Sequence, residues 1–169
     1  MDVYPQAGTT GDTDKTGATV MELKLFALDK DDLDIVSTHL QDSVVKVADI
    51  HWRPSEKRLV MLLNRFDWEE AHCANPNFRR RRTALRFDRV NACQCRHVMP
   101  HDKDAVLNLL AIDFVATGTP AGALKLTFSG DAELRLEVEC IEVELTDLGP
   151  AWETTLRPVH PDDIGQPNA

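Results

Sequence analysis

Apolar and polar residues in the first part of the chain change from an alternating period to a helical one. Residues 22–28, "ELKLFAL", alternate weakly and predict a first strand. The next apolar positions recur at helical spacing: Leu33, Val36, Leu40 and Val44. Asp29 stands where an N-cap residue accepts backbone hydrogen bonds, and the acidic residues after it favour the positive end of a helix dipole. We therefore predict that a helix follows the first strand.

Beyond this helix the period changes to two, which is the period of β-strands. Strand-like segments follow one another with short turns between them: "KVADIHW", "RLVMLLNRF", "TALRFDRVNACQCRHV", "AVLNLLAIDFVAT", "GALKLTF" and "AELRLEVEC". The second segment is apolar on both faces, as expected of a central strand. The third is either one long strand or two short ones. The last two alternate cleanly, so each is predicted to have one buried and one solvated face.

The alternation breaks at Ile141, close to the end of the last segment. Ile141, Leu145 and Leu148 fall at helical spacing in a Glu-rich stretch that stops at Gly149 and Pro150. We predict a short C-terminal helix here. An extended strand that contains a bulge is the alternative.

This order of elements predicts an α+β fold. We expect a curved antiparallel sheet or small barrel of about six to seven strands, with an N-terminal helix and a short C-terminal helix. A pleckstrin-homology-like barrel is the nearest architecture, although the N-terminal helix departs from it. Residues 1–20 lack periodicity and residues 157–169 contain three prolines. We therefore expect a disordered tail and a loose tail around a single domain over residues 21–156.

Composition narrows the classes of function. The chain has 169 residues, of which 19 are basic and 28 acidic, giving a net charge of −9. This balance argues against general nucleic-acid binding, which requires a positive surface. No apolar run reaches the length of about 18 residues that a membrane span needs, and the N-terminus lacks the pattern of a secretory signal. The four cysteines do not form a disulfide framework, so we expect a reducing cytoplasm.

Cysteines and histidines cluster in "CQCRHVMPH", which contains Cys93, Cys95, His97 and His101. Side chains two apart on a strand lie about 6 to 7 Å from each other, which is wide for ligands of one zinc ion. The cysteines fit better as small hydrophobic residues on a half-buried strand. The adjacent pair His72 and Cys73 lacks any feature that would activate a nucleophile. We therefore expect no metal, no cofactor and no catalytic residue.

An arginine-rich segment is the most specific feature of the chain. "NFRRRRTALRFDRV", residues 77–90, holds six arginines. If a strand begins at Thr83, Leu85 and Phe87 face the core and Arg79–Arg82 form the loop that leads into it. Three interpretations compete. The arginines pair with the chain's own acids, they dock an acidic protein surface such as another copy of this chain, or they bind a phosphate-bearing ligand, RNA or anionic lipid.

Several strings carry a family resemblance: "HLQD", "LNRFDWE", "RFDRV" and "LGPAW". With the segments around them they resemble an alphaproteobacterial family catalogued as domain of unknown function 2948, over essentially the whole predicted domain. The resemblance implies a bacterial cytoplasmic protein and transfers no site residue.

Together these observations predict a non-catalytic protein-interaction module that docks a protein partner, or another copy of itself, through an arginine-rich strand edge. The alternative is a binder of a phosphate-bearing ligand or RNA, and a metal- or cysteine-dependent enzyme is the third choice. The candidate docking residues are Arg79, Arg80, Arg81, Arg82, Arg86, Arg89 and Trp68.

Overall fold

The computed structural model describes residues 22–68, 78–154 and 158. Within these ranges the chain forms one α-helix, a short 3-10 turn at Pro54–Glu56 and ten strands of one antiparallel sheet. The helix, α1, spans Lys30–Leu40. The strands are β1 (Lys24–Ala27), β2 (Ser43–Arg53), β3 (Arg58–Phe66), β4 (Arg79–Phe87), β5 (Val90–Arg96), β6 (Val106–Gly118), β7 (Ala121–Phe128), β8 (Glu133–Val138), β9 (Val143–Asp147) and β10 (Trp152–Glu153).

The strands are arranged in the order β1-β9-β4-β3-β2-β6-β7-β8-β5, and β10 pairs with β4. β1 and β5 stand at the two ends of this order, and no pairing among the described residues joins them. The sheet is therefore not closed, and its ten strands replace the predicted six to seven. One cause is that the long third segment splits into β4 and β5, because Arg89 adopts a left-handed backbone with φ of 60°.

Two short connections, one between β4 and β5 and one between β8 and β9, bring the two ends of the strand order together around one core. Asp88 N–H donates to the Glu142 carbonyl oxygen, and Glu139 N–H donates to the Arg89 carbonyl oxygen, both at 3.0 Å. The ladder between β4 and β9 therefore leads directly into the ladder between β5 and β8. Both ladders contribute buried side chains to the same core, including Leu85, Phe87, Leu134, Leu136 and Leu145.

Helix α1 confirms the helical pattern read from the sequence. The side chain of Asp29 caps its N-terminus by accepting a hydrogen bond from Asp32 N–H at 2.8 Å. The buried face consists of Leu33, Val36 and Leu40. The helix ends at Leu40, and Asp42, with φ of 62°, turns the chain into β2. Val44 therefore lies on β2 and not on the helix.

The predicted C-terminal helix is wrong over the described residues, and the alternative of an interrupted strand is right. Val143–Asp147 forms β9, which is hydrogen-bonded between β1 and β4. On β8 the even-numbered residues face the core, whereas on β9 the odd-numbered ones do. Residues 139–142 absorb this change of parity outside regular strand structure. Leu148, which the helix would have packed, is 48 % exposed.

The predicted tails, the single domain and the expected lack of a membrane span concern the chain as a whole. The predicted tails lie outside the described residues, apart from Pro158, and the single domain over residues 21–156 stays a prediction. In the described part of the chain, no helix is long and apolar enough to cross a membrane.

Candidate functional site

The arginine segment is part of the sheet and not a loop that leads into it. Strand β4 begins at Arg79 and lies between β3 and β9. The predictions of a loop over Arg79–Arg82 and of an arginine-rich strand edge are therefore wrong. The reason is that the two-residue alternation of β4 extends back through the arginines. The residues that share its buried inner face are Arg81, Thr83, Leu85 and Phe87.

On the inner face, two arginines are buried side by side. Arg81 and Arg65 are cross-strand neighbours on β4 and β3, with exposures of 4 % and 1 %. Like charges at such positions repel each other, so each needs a carboxylate partner. Arg81 Nε donates to Asp67 Oδ2 at 3.1 Å. Arg65 donates from Nε and Nη2 to the two carboxylate oxygens of Asp147, at 2.8 Å each.

Asp147 on β9 is the centre of this buried charge cluster. Besides the two bonds from Arg65, its carboxylate accepts a hydrogen bond from the Thr83 hydroxyl and one from Leu23 N–H, each at 2.8 Å. Burial acts to raise the pKa of Asp147, but these donors and the Arg65 charge outweigh it and hold the pKa below its usual range. Each carboxylate oxygen of the ionised Asp147 thus accepts two hydrogen bonds, and these bonds tie β3, β4 and β9 to the residue before β1.

On the outer face, Arg80 and Trp68 cover one aromatic side chain. The guanidinium carbon of Arg80 lies 5.7 Å from the centroid of the Phe66 ring, and the Trp68 ring meets the same ring edge-on at 4.6 Å. Arg80 Nη1 also donates to the Asp42 and Asn64 carbonyl oxygens, both at 3.2 Å. Burial lowers the pKa of Arg80, and the nearby Asp42 carboxylate partly offsets this effect.

Trp68 has a structural partner as well. Its indole Nε1 donates to the Gln41 carbonyl oxygen at 3.0 Å, directly after α1. The contact ties the end of the helix to the chain that leaves β3. Trp68 and Arg80 therefore both pack against Phe66, and we call these three residues the aromatic corner.

Three of the other candidate arginines pair with the chain's own acids at the surface. Arg82 Nη2 lies 3.1 Å from Asp49 Oδ2, and Arg89 Nε lies 3.2 Å from Glu142 Oε2. Arg86 pairs with both Asp88 and Glu144. Arg79 stands half-buried at the start of β4, opposite Glu153. The predicted docking residues are thus divided among the buried cluster, the aromatic corner and a solvated row of ion pairs, and they do not form one patch.

A different site lies at the end of the sheet, where the pairing of β2 is incomplete. The ladder between β2 and β6 covers only Ser43–Lys46, whereas Ile50–Arg53 pair with β3 alone. β5 pairs with β8 on one side. On the other side of β5, we find one backbone hydrogen bond among the described residues. Val90 N–H donates to the Lys57 carbonyl oxygen at 2.9 Å. Among the described residues, β5 therefore has an open edge beyond Val90, and β2 has one beyond Ala48, whose N–H still donates to the Lys103 carbonyl oxygen at 3.1 Å.

Between them lies a cavity of about 230 Å³, which we call the β2/β5 cleft. Its walls include Ile50, Trp52, Cys93, Cys95, Leu134 and Lys103. The lining is mainly apolar and continuous with the core, because Ile50, Trp52 and Cys93 pack against buried core residues. Lys103 is the one charged residue among the lining side chains. The cleft can therefore hold an apolar group and offers one cation to it.

The two thiols in the cleft differ in environment. Burial raises the pKa of Cys93 to about 11, with a smaller contribution from the neighbouring Cys95. Cys95 is exposed, and its thiol donates to the Val98 carbonyl oxygen at 3.6 Å. A thiol with a raised pKa is a poor nucleophile, so Cys93 serves as an apolar wall.

The histidines of the same segment point elsewhere. His97 Nδ1 lies 3.1 Å from the Asp131 carbonyl oxygen, and His101 is exposed. Across the ranges that the structure describes, no three His, Cys, Asp or Glu side chains are grouped to hold a metal ion. The candidate pair His72 and Cys73 lies outside those ranges.

One comparison with known proteins identifies a family. Residues 23–160 match the model of the family described as "Protein of unknown function (DUF2948)", which confirms the resemblance seen in the sequence. No curated protein and no solved structure matches the chain.

Proposed function

We propose that this chain, which belongs to the DUF2948 family of proteins of unknown function, is a non-catalytic protein-interaction module. It docks an extended segment of a partner protein at the unpaired edge of β5. One apolar side chain of that segment enters the β2/β5 cleft. Free thiols at Cys93, Cys95 and Cys140 fit a reducing bacterial cytoplasm as the place where this occurs.

The observation that carries the proposal is the position of an unpaired strand edge beside an apolar cavity. An unpaired edge presents N–H and C=O groups that pair readily with another strand. In peptide recognition by strand addition, backbone hydrogen bonds provide affinity and adjacent pockets select side chains. At the end of the sheet, β5 supplies the edge, and the cleft lined by Cys93 and Cys95 supplies the pocket.

The size of the cleft favours an anchor side chain over a whole cofactor. Small-molecule sites usually measure about 300–1,000 Å³, whereas this cavity holds about 230 Å³. Burying one large apolar side chain contributes about 1.5–3 kcal/mol. Such an anchor, added to a few backbone hydrogen bonds, suits a reversible complex.

The arginine segment supports a docking role less well than the cleft does. Arg81 is buried against Asp67, and Arg82, Arg86 and Arg89 pair with acids of the same chain. A partner would have to displace these acids to reach the guanidinium groups. The same engagement, together with the net charge of −9, weakens the alternative of RNA or a phosphate-bearing ligand.

The test is a selection of binders from a random peptide display library, followed by affinity measurements on variants of the full chain. Cys95→Arg places a bulky charge at the cleft, whereas Gln94→Arg makes a similar change on the opposite face of β5. We expect Cys95→Arg to weaken the selected peptides at least tenfold, whereas Gln94→Arg should not weaken them. Thermal melts of both variants verify folding. Equal binding by both folded variants would remove the cleft from the proposal.

A further inference from the structure

We infer that the segment docked on β5 alternates apolar and acidic residues. This inference rests on the proposed function, because it names the chemistry of the partner at the same site. The β5 strand already has one neighbour, β8, whose sequence over residues 133–138 is "ELRLEV". This neighbour shows which side chains fit beside β5.

The inner positions of β5 are matched by leucines. Cys93 stands opposite Leu136, and Cys95 stands opposite Leu134. Both leucines are buried. Because side chains alternate between the two faces of a strand, every second residue of an added strand also points inward at Cys93 and Cys95. Those residues meet the cleft, whose walls Ile50 and Trp52 are apolar, so they must be apolar as well.

The outer positions of β5 favour acid. Arg96 stands opposite Glu133, and its Nη2 lies 3.5 Å from Glu133 Oε2. The Arg96 side chain is still 64 % exposed, so its planar guanidinium retains donors for a second carboxylate on the open side. An acidic residue of the added strand beside Arg96 would form the same kind of cross-strand pair that Glu133 forms, whereas a basic residue would be repelled.

Lys103 adds a second cation, in the lining of the cleft itself. It is the charged member of the cleft lining, and it favours a carboxylate next to the apolar anchor. The chain as a whole carries a net charge of −9, so an acidic segment is repelled elsewhere on its surface. Arg96 and Lys103 therefore give this site its preference for acidic segments. Added salt should weaken that preference, because it screens the charges.

Two synthetic seven-residue peptides test the inference: one alternates Leu and Glu, and the other alternates Leu and Lys. Fluorescence anisotropy with the full chain measures both affinities. We expect the Leu/Glu peptide to bind at least tenfold more tightly. Arg96→Glu should abolish or reverse this preference. Lys125→Glu is the matched control, because Lys125 also contacts Glu133, at 3.4 Å, but lies on β7. It should keep the preference.

The outcomes separate this inference from the proposed function. If display-selected peptides are sensitive to Cys95→Arg but lack the alternation, or if Arg96→Glu leaves the preference unchanged, docking stands and the inference is overturned. If no peptide shows Cys95→Arg sensitivity, both are overturned. Analytical ultracentrifugation tests whether a second copy of the chain occupies the cleft. A wild-type dimer that Cys95→Arg dissociates would show that it does, and this result would also overturn the inference.

Discussion

Replacing Asp147 with Asn tests the role that the structure gives to the buried charge cluster. Four donors converge on the two carboxylate oxygens of Asp147, two of them from Arg65 and one each from Thr83 and Leu23. An Asn side chain has one acceptor oxygen, so its amide group would face donors and leave some of them unsatisfied. The change also removes the negative charge that Asp147 places against Arg65, which is 1 % exposed.

The expected loss is large for a single substitution. Removing one partner of a buried ion pair costs about 3–5 kcal/mol, out of about 5–15 kcal/mol for a whole domain. Urea denaturation followed by tryptophan fluorescence measures the free energy of unfolding. Glu139→Gln is the control, because its pair with Lys57 lies at the surface and should leave the midpoint essentially unchanged. A loss below about 1 kcal/mol for Asp147→Asn would refute the reasoning.

The same variant has a defined pH dependence. Because the pKa of Asp147 is lower in the folded chain than in the unfolded one, its contribution is fully present above the unfolded pKa of about 3.9. The contribution is lost as the pH falls through the folded pKa. The stability difference between the wild type and Asp147→Asn should therefore be constant near neutral pH and narrow below about pH 4. A difference that grows on acidification would contradict this sign.

Three further predictions concern other regions. Gly122→Ala should destabilise the fold by about 1–3 kcal/mol in urea titrations, because the added methyl group would meet the ring of Phe114 and a backbone carbonyl oxygen; an unchanged midpoint would count against this packing. Arg80→Ala should cost about 1–3 kcal/mol in the same titrations, because the Asp42 and Asn64 carbonyl oxygens each lose a donor, and a neutral result would contradict this. Iodoacetamide at pH 8 should label exposed Cys95 before Cys93, whose pKa burial raises to about 11. Tandem mass spectrometry of the peptide with both thiols reads out the order, and faster labelling of Cys93 would contradict it.

Local signals made part of this fold predictable. The cap at Asp29 and the spacing of Leu33, Val36 and Leu40 lie within one segment, and they specify α1 without reference to the rest of the chain. The same is true of β7 and β8, where a clean alternation and a short turn give the hairpin directly. Leu85 and Phe87 were correctly predicted to face the core, since the alternation of β4 is visible around them.

Features that depend on distant partners were not predictable in this way. Whether Val143–Asp147 is helix or strand is decided by β1 and β4 on either side of it, and neither neighbour is visible in its own residues. Arg81 is buried because Asp67 neutralises it, and Arg65 because Asp147 does so from 82 residues away. The β2/β5 cleft exists because a pairing is missing, and no short sequence pattern encodes a missing neighbour.

Residue-level amide hydrogen exchange of the full chain, with and without a display-selected peptide, tests the central claim most directly. The claim is that partners add to the unpaired edge of β5 and not to the arginine-bearing face of β4. We expect the β5 amides that face the open edge, apart from the hydrogen-bonded Val90, to exchange rapidly in the free chain and at least tenfold more slowly in the complex, while β4 remains equally protected in both. Unchanged exchange in β5, with new protection around Arg80 and Arg82, would contradict the claim.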